Sequence, residues 1–326
     1  MSQHLWKSAL CLLPLIAAGF TAQAQAQAQY PERPIRFVVP MPPGGGTDYW
    51  ARLTASKLEP ILGTQVIVEN KPGGGTIIAA DYVARAPADG YTIMVGDIGT
   101  FAVNPGLHKT LPYAPLKDFS PITLTTTEAL VLTVPANSPL ASVEDLLRQA
   151  KAEPGKLNYG SASVGSPHHL AMELLQDQAG VQLTHIPYKG SAPIIPDLLG
   201  GALDVAFLDL PVAMAHLKSG RLKGLAVFAP ARLSGFPDLP TMREVGLGTQ
   251  EIEAWKGLVV PDGVAPEIID KLNAAYRQVS QDPDFVAKLQ EMGVETTPST
   301  PEEFSAYMAT EMERWTELVK AKNISM

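Results

Sequence analysis

One segment narrows the choice of fold more than any other: Pro40-Met41-Pro42-Pro43-Gly44-Gly45-Gly46-Thr47-Asp48. An apolar β-type run, Ile35-Arg36-Phe37-Val38-Val39, precedes it, and a helical pattern from Tyr49 to Leu62 follows. Three consecutive glycines therefore sit where a strand turns into a helix. Without Cβ atoms the backbone can approach another molecule closely. The helix start beyond the glycines has free N–H groups and a partial positive charge, a setting for a carboxylate or other anion. Thr47 or Asp48 is expected to cap that helix.

Strand, glycine-rich turn and helix return near 69–77 and again near 160–169. The last of these reads Tyr159-Gly160-Ser161-Ala162-Ser163-Val164-Gly165-Ser166-Pro167-His168-His169-Leu170. Short strands and helices alternate around these turns, which is the α/β signature. Strands are expected at 35–39, 66–69, 92–96, 130–134, 157–160, 184–187, 205–208 and 222–227. Helices are expected at 48–62, 77–85, 143–152, 167–179, 193–199, 211–219, 266–280, 283–292 and 301–322. Ser142 ahead of Glu144-Asp145, Ser166-Pro167 and Thr300-Pro301-Glu302-Glu303 all read as helix starts. Facing each other at the carboxyl ends of their strands, the first and third glycine loops would form a two-sided anion clamp.

The length of 326 residues, 46% of them hydrophobic, suggests two domains. A net charge of −8 with no basic stripe argues against nucleic acid as a partner. Capture of an anion by such an acidic chain has to be local, through neutral donors and helix ends. The first 28 residues read as an export signal: Lys7, an apolar run from Ala9 to Phe20, then an Ala-Gln repeat with cleavage equally possible after Ala24, Ala26 or Ala28. No run reaches membrane-spanning length. The single cysteine, Cys11, lies inside the signal, so the mature chain has no thiol chemistry. These features point to the periplasm of a Gram-negative cell.

The chemical alternatives are weak. Neither glycine run has the spacing of a phosphate-binding loop or a dinucleotide fingerprint. Serines 161, 163 and 166 beside His169 invite a secreted Ser/His hydrolase. The Gly-x-Ser-x-Gly elbow is missing, however, and His169 on the first helical turn reads better as a residue that orients the loop or bonds a ligand. The six histidines are scattered, and His168 and His169 diverge by about 100° on a helix, so no metal site is expected. Asp48, which would repel an anion directly, is expected to accept from loop N–H groups instead. Asp209 precedes a helix and reads first as a cap; Asp97 has no such role in view and becomes a candidate for the cleft. Trp50, Trp255 and Trp315 read as packing residues.

Taken together, these residues carry a family resemblance. The chain resembles the extracytoplasmic solute receptors of tripartite tricarboxylate transporters, the Bug (Bordetella uptake gene) family, over essentially the whole mature sequence. Pro43 to Asp48 looks like the family's first ligand loop and Tyr159 to Leu170 its second. Val68-Glu69-Asn70-Lys71-Pro72-Gly73-Gly74-Gly75, Ala88-Asp89-Gly90-Tyr91-Thr92, Ile186-Pro187-Tyr188-Lys189-Gly190 and Pro240-Thr241-Met242-Arg243-Glu244-Val245-Gly246 are similar to further family motifs. Two departures stand out: Ser163 replaces the usual middle glycine of the second loop, and Asp97 stands where small or hydroxylated residues are common.

The resemblance implies a periplasmic binding protein fold of type II: two α/β domains closing like a flytrap over a cleft. Domain 1 would comprise 29–127 with 229–326, and domain 2 would comprise 128–228, with crossovers near 126–130 and 226–230. A non-enzymatic, monomeric receptor without cofactor is implied, holding a small organic acid and passing it to membrane permease subunits. Gly44, Gly45, Gly46, Thr47 and Asp48 would line one side of the ligand site. Ser161, Ser163, Gly165, Ser166 and His169 would line the other, and Asp97, Thr100 and Asp209 are further candidate ligand-binding residues. A Ser/His hydrolase and a sensory receptor are the alternatives.

Overall fold

The computed structural model describes residues 30–229, 231–233, 235–247, 252–292, 294–321 and 324; the expected signal peptide lies outside them. β1 (Ile35–Val39) runs through the first glycine turn into α1 (Gly46–Leu62). β2 (Val66–Asn70), α2 (Ile77–Ala84), β3 (Thr92–Asp97), a π-helical turn (Gly99–Val103) and α3 (Asn104–Leu107) follow. Next come β4 (Phe119–Pro135), α4 (Val143–Ala152), β5 (Asn158–Ser161), α5 (Pro167–Ala179) and β6 (Thr184–Pro187). The chain continues with α6 (Ile194–Gly200), β7 (Val205–Asp209), α7 (Leu210–Lys218) and β8 (Leu222–Phe228). It ends with β9 (Glu253–Pro261), α8 (Pro266–Ser280), α9 (Pro283–Glu291), β10 (Glu295–Thr296) and α10 (Pro301–Ala321).

The strands form one mixed sheet in the order β2-β1-β3-β9-β4-β7-β5-β6, with β8 and β10 also paired to β4. β1, β2 and β3 are parallel to one another, as are β5, β6 and β7. Antiparallel β9 and β4 stand between these two sets. β4 has 17 residues, far more than the Leu130–Val134 expected from the sequence. Its residues 119–129 pair with β9, and residues 130–135 pair with β8, β7 joining over 130–133. Register shifts at Pro121/Thr123, Leu124/Thr126 and Leu132/Thr133 interrupt the ladder on either side of that change of partner.

Local chemistry explains most element ends. Ser142, Ser166 and Asp282 accept side-chain bonds from the amides of Asp145, His169 and Phe285, capping α4, α5 and α9. Gly63 and Gly180 close α1 and α5 in the left-handed region. Gly96 and Gly257, paired across β3 and β9, leave room for aromatic rings: a Cβ would lie 2.0 Å from Phe101 in the first case and 2.0 Å from Phe304 in the second. One apolar core holds residues from both strand sets, including Phe101, Leu107, Leu132, Tyr159, Leu170 and Phe207, and α10 adds Met308 and Trp315. A second packs α1, α8 and α9 against β1 through Trp50, Leu58, Tyr276 and Phe285. The three tryptophans read as packing residues, Trp50, Trp255 and Trp315, are all buried.

Candidate functional site

The strand register brings the two parallel sets to one place. Asp97, the last residue of β3, pairs with Lys256 on β9, and Lys256 pairs with Thr126 on β4. Asp209, the last residue of β7, pairs with Leu130 on β4. β3 runs with β4 and β7 runs against it. Both sets therefore end, from opposite directions, over residues 126–130, a span of about 13 Å at 3.3 Å per residue. The turns after β1, β2 and β3 and those after β5, β6 and β7 flank this segment, which is where open α/β sheets place ligands.

On the first side, Gly45 is the residue before α1, and no side chain caps the helix. The expected cap from Thr47 or Asp48 does not form, because the helix starts two residues earlier than predicted and both residues lie within its first turn. Asp48 is buried and turned back: Oδ2 accepts from the Gly44 amide (2.9 Å) and Arg52 Nε (3.0 Å), and Oδ1 accepts from Asn70 Nδ2 (2.9 Å). The Arg52 bond holds its carboxyl down at about 2, against an opposing push from burial and with help from Gly44 and Asn70. Gly44, Gly45 and Gly46 are exposed. A Cβ at Gly46 would meet nothing within 4 Å, and one at Gly45 only the Pro42 carbonyl at 3.8 Å. The space on the Cβ side of these glycines is open.

Behind them the second glycine run adopts left-handed backbone at Gly73, Gly74, Gly75 and Thr76. Thr76 Oγ1 accepts from Thr100 Oγ1 at 2.9 Å, and Asn104 Nδ2 donates to the Gly75 carbonyl at 2.9 Å. Asp97 has the local role that sequence reasoning did not see: its Oδ1 accepts from the amide (2.8 Å) and hydroxyl (2.7 Å) of Thr100, opening the π-helical turn. Thr100 is fully buried, so it supports this wall from beneath.

On the second side, Ser166 caps α5 and its hydroxyl donates to the Ser163 carbonyl (2.8 Å), which also accepts from Ser161 Oγ (2.9 Å). The Gly165 amide donates to His169 Nδ1 at 3.0 Å. Gly165 has φ +73°, and a Cβ there would strike Leu107 Cδ1 at 2.2 Å, so this glycine lets the second loop pack on α3. His169 stacks on His185 at 4.0 Å, and His185 on Tyr159 at 4.8 Å. Burial lowers His169 to about 4; burial and the neighbouring His169 bring His185 to the same value, so both rings are neutral at pH 7. Among the serines of the loop, Ser163 is the exposed one.

At the far end, Asp209 is not the cap it resembles. It makes no side-chain bond to α7. Oδ1 instead meets His168 Nε2 at 3.1 Å, and Oδ2 accepts from Ser191 Oγ at 2.7 Å. Burial alone would raise its pKa, but His168, Ser191 and Lys256 outweigh it and hold the carboxyl below the ordinary range. Lys256 forms an ion pair with Glu128 in which both side chains are nearly buried. Burial disfavours the Lys256 charge, yet Glu128, then Asp209 and Asp97, raise its pKa above the usual value.

A family model described as "Tripartite tricarboxylate transporter family receptor" matches residues 50–324. The chain belongs to this receptor family. BugT of Bordetella pertussis is 35% identical over 94% of this chain and 94% of its own length. A solved Rhodopseudomonas palustris protein with adipate is 34% identical, with a TM-score of 0.83 over 91% of this chain and all of the other. MatC from the same organism, with bound malate, is 31% identical, with a TM-score of 0.79 over 89% of this chain and all of the other. The fold is thus that of the family's periplasmic binding proteins, and family and fold are those of solute-binding proteins and not of enzymes.

The Ser/His cluster is paired differently from the sequence expectation. The ring on Ser161 is His185, at 2.6 Å, and not His169. Ser161 is fully buried, and its hydroxyl serves the Ser163 carbonyl. Among the described residues no group of three or more His, Cys, Asp or Glu side chains is placed to hold a metal, and no helix is long and apolar enough to cross a membrane. A cavity of about 940 Å³ lies elsewhere, between α4, β8 and residues 235–245, and no residue of the two loops lines it. Sequence reasoning missed Lys256, Glu128, Ser191 and His185. A lone charge in each of two otherwise apolar or hydroxylic stretches, Thr126-Thr127-Glu128-Ala129-Leu130 and Ala254-Trp255-Lys256-Gly257-Leu258, was the available signal for the first pair.

Proposed function

We propose that this protein is an exported periplasmic receptor that captures a small organic carboxylate between the turn at 43–48 and the turn at 160–169 and delivers it to the permease subunits of a tripartite transporter. The observation that carries this reading is the start of α1. No side chain caps it, a Cβ on Gly46 would meet nothing within 4 Å, and the Asp48 carboxylate in its first turn is bonded back into the protein. A ligand carboxylate takes the place of the missing cap. Gly45, Gly46 and Thr47 supply donors from one side and the exposed Ser163 from the other. Gly165, Ser166, Ser161 and His169 hold the second turn in shape, and Thr100 supports the first side. Adipate and malate in the two R. palustris proteins support a carboxylate as ligand class.

In this reading the chain forms two domains, 29–127 with 229–326 and 128–228, and works as a monomer. β4, common to both strand sets, carries the bending on closure. The test is a thermal-shift series on the mature protein with mono-, di- and tricarboxylates and amino acids. A ligand at about 100 times its dissociation constant adds roughly 2.7 kcal/mol to stability. A hit among the carboxylates supports the reading. A panel without hits, on protein shown by mass spectrometry after denaturation to carry no bound ligand, removes it.

A further inference from the structure

Four charged residues lie over the segment of β4 where both strand sets end. Asp97 closes β3, Asp209 closes β7, Glu128 lies on β4 between their levels, and Lys256 is the register partner of Asp97. Lys256 and Glu128 are joined as an ion pair with side-chain exposures of 13% and 11%. The ammonium of Lys256 also interacts with Asp209 and Asp97. These are three carboxylates against one ammonium. Even with His168 protonated beside Asp209, the carboxylates remain in excess. The hydrogen bonds of Asp97 to Thr100 and of Asp209 to Ser191 orient these groups without cancelling their charge.

We propose, resting on the carboxylate-receptor reading above, that the Asp97–Glu128–Lys256–Asp209 cluster reads the end of the ligand remote from the α1 amides and selects an ammonium, hydroxyl or amide there over a second carboxylate. Among the described residues of the cluster, the Lys256 ammonium is already paired with Glu128 and His168 is already taken by Asp209, so a second carboxylate finds no free counter-charge. It would instead meet the like charges of Asp97 and Asp209. A donor group meets acceptors on both sides. The first loop admits any carboxylate; the cluster discriminates among them.

The experiment is isothermal titration of the mature, ligand-free protein with matched series of three to six carbons: plain monocarboxylates, ω-amino and ω-hydroxy monocarboxylates, and dicarboxylates. The expected result is an ω-amino or ω-hydroxy acid bound about tenfold or more tighter than the dicarboxylate of the same length. Glu128→Gln, which frees the Lys256 ammonium, is expected to reverse or abolish that ratio while plain monocarboxylates change little. Should Glu128→Gln fail to fold, Asp97→Asn and Asp209→Asn test the same point, each raising relative affinity for the dicarboxylate. Wild-type protein that prefers dicarboxylates, or a ratio unmoved in the folded variants, overturns the proposal and leaves the receptor reading intact. No binding across all series overturns both.

Discussion

Asp48 and Asn70 are joined across the mouth of the first loop by a 2.9 Å bond from Asn70 Nδ2 to Asp48 Oδ1, and the same amide nitrogen donates to the Met41 carbonyl at 3.0 Å. The exits of β1 and β2 are thereby locked to the first turn of α1. Asp48→Ala is expected to cost roughly 2 kcal/mol, the scale for leaving buried charge-bonded donors unpaired, and to weaken ligand binding by loosening the loop. The carboxyl sits near 2 in the folded protein against an ordinary 3.8. Its contribution is complete above about pH 4 and is lost as the pH falls through about 2. Urea unfolding of wild type and variant across that range checks both statements: the two curves converge at low pH.

Gly45 has φ −82° and ψ 170°, a backbone open to any residue, and a side chain there would point into free space. Gly45→Val is expected to leave the melting temperature of the unliganded protein nearly unchanged and to abolish binding, because the branched side chain fills the anion position. Gly44, at φ +85°, is different: substitution there strains the backbone as well. Calorimetry with the best ligand, alongside melting of the unliganded proteins, separates the two cases. Undiminished affinity in Gly45→Val removes this loop from the site.

The stacked pair His169 and His185 makes the receptor acid-sensitive. Both rings titrate near 4 when folded and near 6.5 when not, so the unfolded chain takes up more protons over that interval and stability declines as the pH falls through it. Charging both would also place two imidazolium rings 4.0 Å apart. His185→Gln is expected to flatten the decline between pH 6.5 and 4, measured as the urea midpoint against pH. A slope equal to that of wild type contradicts this.

Ser161→Ala removes a buried hydroxyl that bridges His185 and the Ser163 carbonyl. A loss of about 1 kcal/mol is expected, with weaker ligand binding because the second turn relaxes. The companion measurement is turnover of an ester panel. Hydrolysis by wild type that disappears in Ser161→Ala or Ser163→Ala would overturn the non-enzymatic reading.

The glycine turns, the helix starts at Ser142 and Ser166 and the parallel strands were legible because each rests on chemistry local in sequence. β9 was not legible: Glu-Ala-Trp-Lys-Gly-Leu-Val-Val-Pro places a charge and a glycine mid-strand, and only the ring of Phe304 explains the glycine. The first half of β4 was hidden by Pro121, which the strand tolerates beside a register shift. At the site, the local bonds of Asp97 and Asp209 were not legible. Asp97 starts a turn of a rare helical type, and the Asp209 carboxylate, at the start of an ordinary helix, is drawn to His168 and Ser191, both distant from it in sequence. Lys256 and Glu128 acquire meaning only once β4 and β9 lie side by side.

β4 belongs to both halves of the sheet, and no cut in the chain can respect that. Severing it between Ala129 and Leu130 would leave residues 130–135 with β7 and β8 but would put β9 and its partner, residues 119–129, on different fragments. The first fragment would present residues 119–129 and β3, and the second would present β9, as raw strand edges in solution. A chimera that grafts 128–228 onto another scaffold keeps the pairing of 130–135 with β7 and β8 and has to supply a new neighbour only for Glu128 and Ala129, which here pair with β9.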